Sequence, residues 1–202
     1  MSGHLFIITA ASGAGKTSLV KALLGLDTQV KLAVSYTTRK PRANEIDGVD
    51  YFFVDDATFN QRLAKGDFLE YAEVHGAKYA TSQSQVEQAL SHGFDIILEI
   101  DWQGAQQVRR VMPFATSIFV LPPSIDALEL RLNTRGQDSK EVIARRIAAA
   151  RDEMSHVSEF DYVTINDSFE VALGDIMAII RSHRLTCSVQ SERHAQLIKT
   201  LV

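Results

Sequence analysis

Cysteine is nearly absent. Cys187 is the single one, so no internal disulfide can form, which fits a reducing compartment such as the cytoplasm. Cys187 itself reads as a structural residue of a C-terminal helix. Basic excess is missing too: 21 Lys and Arg face 25 Asp and Glu, for a formal net charge of -4. Duplex binding relies on clustered cations that neutralise phosphates, so a general nucleic-acid surface is not expected. A local basic pocket for a small phosphorylated ligand remains open. No apolar run approaches the roughly 18 residues of a membrane span. The start, Met1 to Ile8, lacks the basic region and long apolar core of a signal peptide. The expectation is a cytoplasmic protein with no membrane partner. The six histidines are scattered, with no pair at i, i+4, which argues against a dedicated zinc site. There is no internal repeat or low-complexity tract.

What is present suits one folded unit. The 202 residues are 46% hydrophobic and 23% charged, enough for a single α/β domain with small insertions. Leu5 to Thr9 is a continuous apolar run, the pattern of a strand buried on both faces. Similar runs recur at Asp95 to Ile100, Ser117 to Leu121 and Tyr162 to Ile165. Helical spacing is predicted over Ser18 to Leu26, Ser84 to Leu90, Ser124 to Leu132, Glu141 to Met154 and Val171 to Thr186. Asp138 and Glu141 resemble a capping box for the fourth of these. Strands alternating with helices imply a parallel sheet with helices on both sides.

Two segments depart from that pattern. Residues 35–81 are polar, with short stretches such as Tyr51 to Val54 and Phe68 to Tyr71, and read as a small mixed-β insertion. Residues 124–154 are helical and carry Arg131, Arg135, Arg145, Arg146 and Arg151, which suggests a lid. The core is then 1–34, 82–123 and 155–202.

The strongest local signal is Ser12-Gly13-Ala14-Gly15-Lys16-Thr17. Glycines permit a tight turn whose inward N–H groups cradle phosphate oxygens, and the following helix adds the positive end of its dipole. Lys16 supplies a point charge to the β and γ phosphates, and the Thr17 hydroxyl can bind Mg2+. The strict pattern wants glycine where this chain has Ala10. At the end of the Asp95 run, Glu99 and Asp101 fall on one face by strand alternation, at the sheet edge where ligands bind. Asp101 is the preferred candidate, either for Mg2+ through water or as a hydrogen-bond acceptor for a base.

Ser35-Tyr36-Thr37-Thr38-Arg39-Lys40-Pro41-Arg42 resembles the guanylate kinase signature S-x-T-T-R-x-P-R. Phe68 to Val74 resembles the family's second element, Ile100-Asp101-Trp102-Gln103-Gly104 its I-D-x-Q-G, Leu132 to Gly136 its lid motif, and Asn166-Asp167 its N-D pair. The matches come in family order and span essentially the whole chain. The resemblance implies a P-loop fold of the bacterial single-domain type and phosphoryl transfer from Mg-ATP to GMP in purine metabolism. ATP, GMP and GDP would be the small-molecule partners, and the oligomeric state is left open as monomer or homo-oligomer.

It also implies roles. Arg39, Arg42, Tyr51 and Tyr79 would hold the GMP phosphate, for which arginine forks are suited. Glu70 would read guanine, accepting from N1–H and the 2-amino group, with Ser35, Thr81 and Asp101 at the base. Ser12 to Ser18, Arg131, Arg135 and Asn166 would bind ATP, with Thr17 on Mg2+. Lys16, Arg39, Arg135 and Arg146 would be catalytic. Two further departures are Ala80 for a common glycine, expected to shift the backbone near Thr81, and Glu99 for a usual aspartate, with no role assigned. One rival is another small P-loop kinase, acting on a different nucleotide or a phosphorylated sugar; a sugar kinase has no reason to carry Ser35 to Arg42 together with Glu70. A non-catalytic peptide-binding relative would have lost Lys16 or the lid arginines.

Overall fold

The computed structural model describes residues 3–74, 76–134 and 140–202. Strand β1 (Leu5–Ala10) opens the fold, followed by helix α1 (Lys16–Leu26) and β2 (Val30–Leu32). Next come β3 (Tyr36–Thr37), β4 (Phe52–Phe53), α2 (Asp56–Ala64), β5 (Phe68–Val74) and β6 (Ala77–Ser82). The chain then runs through α3 (Gln83–Ser91), β7 (Asp95–Glu99), α4 (Trp102–Val111) and β8 (Thr116–Leu121). Helices α5 (Ile125–Thr134) and α6 (Lys140–Ser155) lead to β9 (Tyr162–Ile165). Three helices close the chain: α7 (Phe169–Arg184), α8 (Cys187–Arg193) and α9 (Ala195–Leu201).

Five strands form one parallel sheet in the order β2-β7-β1-β8-β9. Alternation along its strands supplies two cores. On one face Leu5, Ile7, Leu98 and Phe119 pack on Val86 and Leu90 of α3 and on Ala105 and Val108 of α4. On the other, Phe6, Ile8, Ile97 and Ile118 meet Leu19 and Leu23 of α1 and Ile176 and Ile180 of α7. Burial on both faces is why these strands read as unbroken apolar runs.

A second sheet, ordered β4-β3-β6-β5, mixes directions: β3 is parallel to β4 and antiparallel to β6, which is antiparallel to β5. Its small core is Tyr36, Phe59 and Ala80. Ala80 sits in regular β6, paired with Tyr36 and Tyr71, and its methyl fills that core.

Several elements escaped the sequence reading, α2, α4 and β2 among them. Helix α2 buries Phe59 alone, so no apolar stripe announces it. Helix α4 is mostly polar, and its N-terminus is set by Asp101, whose side chain accepts from Gly104 N–H. Strand β2 is only three residues long. Asp138, half of the expected capping box, lies outside the described residues, as does Arg135. Cys187 is the exposed first residue of α8. Among the described residues no helix is long and apolar enough to cross a membrane.

Candidate active site

The loop between β1 and α1 has the geometry of a phosphate cradle. Ala10 is still strand, paired with Val120, so this first position uses extended backbone and has no need of glycine. Gly13 and Gly15 stand at φ 91° and 100°, a region costly for any residue with a Cβ. A Cβ on Gly15 would also strike Asn166 Nδ2. Asn166 Nδ2 donates to the Ala14 carbonyl at 2.7 Å. Arg131 donates to that carbonyl at 3.3 Å and to the Asn166 carbonyl at 2.7 Å. Beside this braced loop lies a cavity of about 500 Å³ lined by Gly13, Gly15, Ser18, Arg131, Asn166 and Phe169. A cavity of about 580 Å³ beside His4 and Arg184 lies at the opposite, N-terminal edge of the sheet, away from this loop.

Lys16 Nζ donates to the Ile100 carbonyl at 3.1 Å. Burial draws its pKa below the ordinary lysine range, opposed by Glu99, Asp101 and Glu153. The carboxylate that receives the Thr17 hydroxyl is Glu99. Strand alternation does not reach Asp101, because β7 ends at Glu99, although both carboxylates act on Lys16. Asp101 caps α4 instead, one oxygen accepting from Gly104 N–H at 2.8 Å. Its charge still acts on both Lys16 and Glu70. Thr17 and Glu99 offer the hard oxygen donors that Mg2+ takes. Among the described residues no cluster of three or more His, Cys, Asp or Glu could hold a metal. That donor set fits an ion that draws its remaining ligands from nucleotide phosphates and water.

The second sheet meets this site through Glu70. Consecutive Leu69 and Glu70 are both buried, which alternation allows only where both faces of a strand are covered or its register is broken. A register shift between Phe68 and Glu70 makes it possible. Thr81 donates its hydroxyl to Glu70 Oε1 at 2.7 Å, so Ser35 must be the donor in its 3.2 Å contact with Thr81 Oγ1. Desolvation lifts the Glu70 pKa to about 7, with Asp101 adding to the rise and Thr81 opposing it. Gly104 leaves room for this carboxylate: a Cβ there would lie 3.2 Å from Glu70 Oε2.

Arg39, Tyr51 and Tyr79 gather beside this row of Ser35, Thr81 and Glu70, Tyr79 standing two residues before Thr81 on β6. The Arg39 guanidinium lies 5.4 Å from the centre of the Tyr51 ring, and Tyr51 meets Tyr79 edge-on at 5.9 Å. Both Arg39 Nη atoms donate to Glu45, at 2.9 and 2.8 Å. That bond raises the arginine further and holds the Glu45 carboxyl at about 2. Glu45 also accepts from the Arg42 backbone N–H at 2.8 Å, while the Arg42 side chain is exposed. Helix α6 approaches from the donor side, Arg146 Nη2 reaching Ser12 Oγ at 2.9 Å.

The sequence model of the family described as guanylate kinase matches residues 2–183. The chain belongs to the guanylate kinase family. It is 64% identical over its full length, and over the whole of that protein, to a guanylate kinase of Methylobacillus flagellatus. It is 57% identical to one from Aromatoleum aromaticum, over 97% of this chain and 96% of that one. The crystal structure of guanylate kinase from Anaplasma phagocytophilum superposes with a TM-score of 0.75 at 30% identity, covering 92% of this chain and 88% of that one.

Within this guanylate kinase fold, the expected residues fall into three groups. Lys16, Thr17, Arg131, Arg146 and Asn166 surround the phosphate loop, and Ser35, Glu70 and Thr81 form a hydrogen-bonded row. Asp101 acts electrostatically on both. Arg39, Tyr51 and Tyr79 form a third cluster, and Arg135 cannot be placed because it lies outside the described residues. Glu45 and Glu153 were missed as participants, and Glu99 was singled out beside Asp101 without a role. Glu99 had a visible signal, its place at the C-terminal end of a buried strand. Glu153 had none, because Ser12 becomes its neighbour only in the folded chain; Glu45 lies three residues from Arg42 and six from Arg39, in a polar stretch with no pattern to single it out.

Proposed function

We propose that this nucleoside monophosphate kinase transfers the γ-phosphoryl of ATP to GMP, giving ADP and GDP, with the two halves of the site as follows. Lys16 and the loop N–H groups of residues 13–17 hold the ATP phosphates, and the adjoining cavity takes the nucleoside. Mg2+ brought with ATP would bind the Thr17 hydroxyl, with Glu99 behind it and Asp101 a second candidate through water. It would neutralise phosphate charge. Arg39, Arg42, Tyr51 and Tyr79 hold the GMP phosphate. Glu70, with Ser35, Thr81 and Asp101, reads the base. Arg146, together with Arg135 and assisted by Arg131, stabilises charge on the transferring group.

The observation that carries the GMP half is the buried Glu70 carboxylate, with Thr81 on Oε1 and Gly104 leaving room beside Oε2. One ionised carboxylate accepts both guanine N1–H and the 2-amino group. Adenine has an acceptor at N1 and would leave the carboxylate unpaired. A buried polar site of this kind can reject the wrong base by roughly 10⁴-fold. The acceptor phosphate is already an anion near neutral pH, so no general base is needed. Catalysis is then positioning and electrostatic stabilisation, with water kept out. The division into core, acceptor insertion over 35–81 and lid over 124–154 follows the same logic. We place the enzyme in the cytoplasm, where ATP and GMP are found.

The test is a panel of GMP, dGMP, AMP, CMP and UMP with Mg-ATP, read as ADP release. Turnover on GMP far above AMP is expected, and no turnover on GMP overturns the reading. Lys16→Ala should abolish turnover while GMP still binds.

A further inference from the structure

Helix α6 touches the phosphate loop with two polar side chains at once. Arg146 and Glu153 are two turns apart and share a helix face. Both reach Ser12. Arg146 donates to its hydroxyl at 2.9 Å, and Glu153 Oε2 accepts its backbone N–H at 2.8 Å. The apolar side of the contact is already supplied by others: Ile143 and Ala150 of α6 pack with Ala11, Ala14, Leu128 and Leu132. The helix is therefore docked without Glu153. What Glu153, half-buried, adds to that contact is its bond to the Ser12 N–H.

That bond has a specific consequence. Ser12 opens the cradle just before the N–H groups of residues 13–17, and its own N–H is taken by Glu153. Left without a partner in this partly enclosed place, the N–H would be costly, and the loop could relax toward other conformations. Glu153 fixes it from the side of α6, as Asn166 and Arg131 fix the Ala14 carbonyl from the side of β9 and α5. Glu153 also interacts electrostatically with Lys16, beside Glu99 and Asp101.

We propose that Glu153 is a positioning residue for phosphoryl transfer: by anchoring Ser12 N–H it holds the phosphate loop in its binding shape and sets Arg146 against it. It touches neither substrate. The inference rests on the ATP-donor reading of the loop given above.

Glu153→Ala and Glu153→Gln distinguish it from a structural role. The glutamine carbonyl can still accept Ser12 N–H, and Glu99 and Asp101 remain to keep Lys16 charged. With ATP and GMP each varied, Glu153→Ala should lower kcat/KM for ATP on the order of tenfold, leaving KM for GMP within about twofold. Glu153→Gln should recover most of that loss. Calorimetry with Mg-ADP should show the same order of affinities. The proposal is overturned if Glu153→Ala lowers Tm with ATP kinetics unchanged, if KM for GMP rises equally, or if the glutamine variant is as poor as alanine. Failure of the donor reading would show separately, as no ATP-dependent turnover by the unaltered enzyme.

Discussion

Glu45 grips Arg39 through both carboxylate oxygens, 2.9 Å from Nη1 and 2.8 Å from Nη2. The fork is thus oriented before any acceptor arrives, and Nη1 also holds the Lys40 carbonyl at 2.9 Å. A guanidinium has five donors, so the edge left over can address a phosphate. Lysine has no fork. Arg39→Lys keeps the charge and loses the bidentate geometry. We expect KM for GMP to rise on the order of tenfold or more, with KM for ATP within twofold. Steady-state kinetics with each substrate varied is the check, and an unchanged KM for GMP would remove Arg39 from the acceptor site.

Glu70 should make GMP binding pH-dependent. Its folded pKa is about 7, raised chiefly by burial. Guanine needs the ionised form, so below pH 7 binding must expel a proton. Affinity should then rise as pH climbs toward 7 and level off above it, with the GMP phosphate adding its own ionisation near pH 6. Glu70→Gln should bind weakly and lose the Glu70 part of the profile. Stability runs the other way. Between about 4.5, the unperturbed value, and about 7 the folded state holds the extra proton, so stability falls as pH rises through that window. The Tm of Glu70→Gln relative to the parent should therefore climb between pH 5 and pH 8. A flat difference would mean that Glu70 is already ionised.

Thr17 and Glu99 share a hydrogen bond at the mouth of the phosphate loop. Serine at position 17 keeps the hydroxyl; valine keeps the shape and loses it. Thr17→Val should raise the Mg2+ concentration needed for half-maximal rate by about tenfold or more, and Thr17→Ser by little. Glu99→Gln should fall between them, since it acts behind the hydroxyl. Titration of Mg2+ at saturating ATP and GMP measures this, and equal Mg2+ dependence in all variants would place the ion elsewhere.

Part of this architecture was legible from residue pattern and part was not. β9, read as Tyr162 to Ile165, is found over those residues; it is an edge strand with only Thr164 buried, and its aromatic and β-branched residues are what made it visible. Helix α1 begins at Lys16, two residues before its apolar stripe makes it visible. Helix α4 stayed hidden because its buried face is only Gly104, Ala105 and Val108. Glu70 could be singled out only through family resemblance. A strand pattern would send one of Leu69 and Glu70 outward, and a register shift turns both in. Asp101 was placed on a strand face and proves to be a helix cap. A cap depends on where the strand stops, and alternation does not reveal that.

Arg184 allows a test of the fold that leaves the chemistry alone. From the end of α7 it donates to Asp95 at 2.6 Å and to Asp27 at 2.7 Å, tying together the start of β7 and the end of α1. Asp95 is the deeper partner, its side chain 8% exposed against 20% for Asp27. It also accepts the His4 backbone N–H at 2.7 Å. Removing the arginine strands a buried carboxylate, which is far costlier than losing a surface pair. The arginine is itself partly exposed, so Arg184→Ala should cost about 2–4 kcal/mol, below the full range for a deeply buried pair. That corresponds to a Tm lower by roughly 5–12 °C for a chain of this size. Asp27→Asn leaves Asp95 paired and should cost no more than about 1 kcal/mol. Both variants should keep the KM values of the parent at 20 °C, because the contact lies at the opposite end of the sheet from the phosphate loop. Equal losses of Tm in the two would show that Asp95 is not the charge that Arg184 serves.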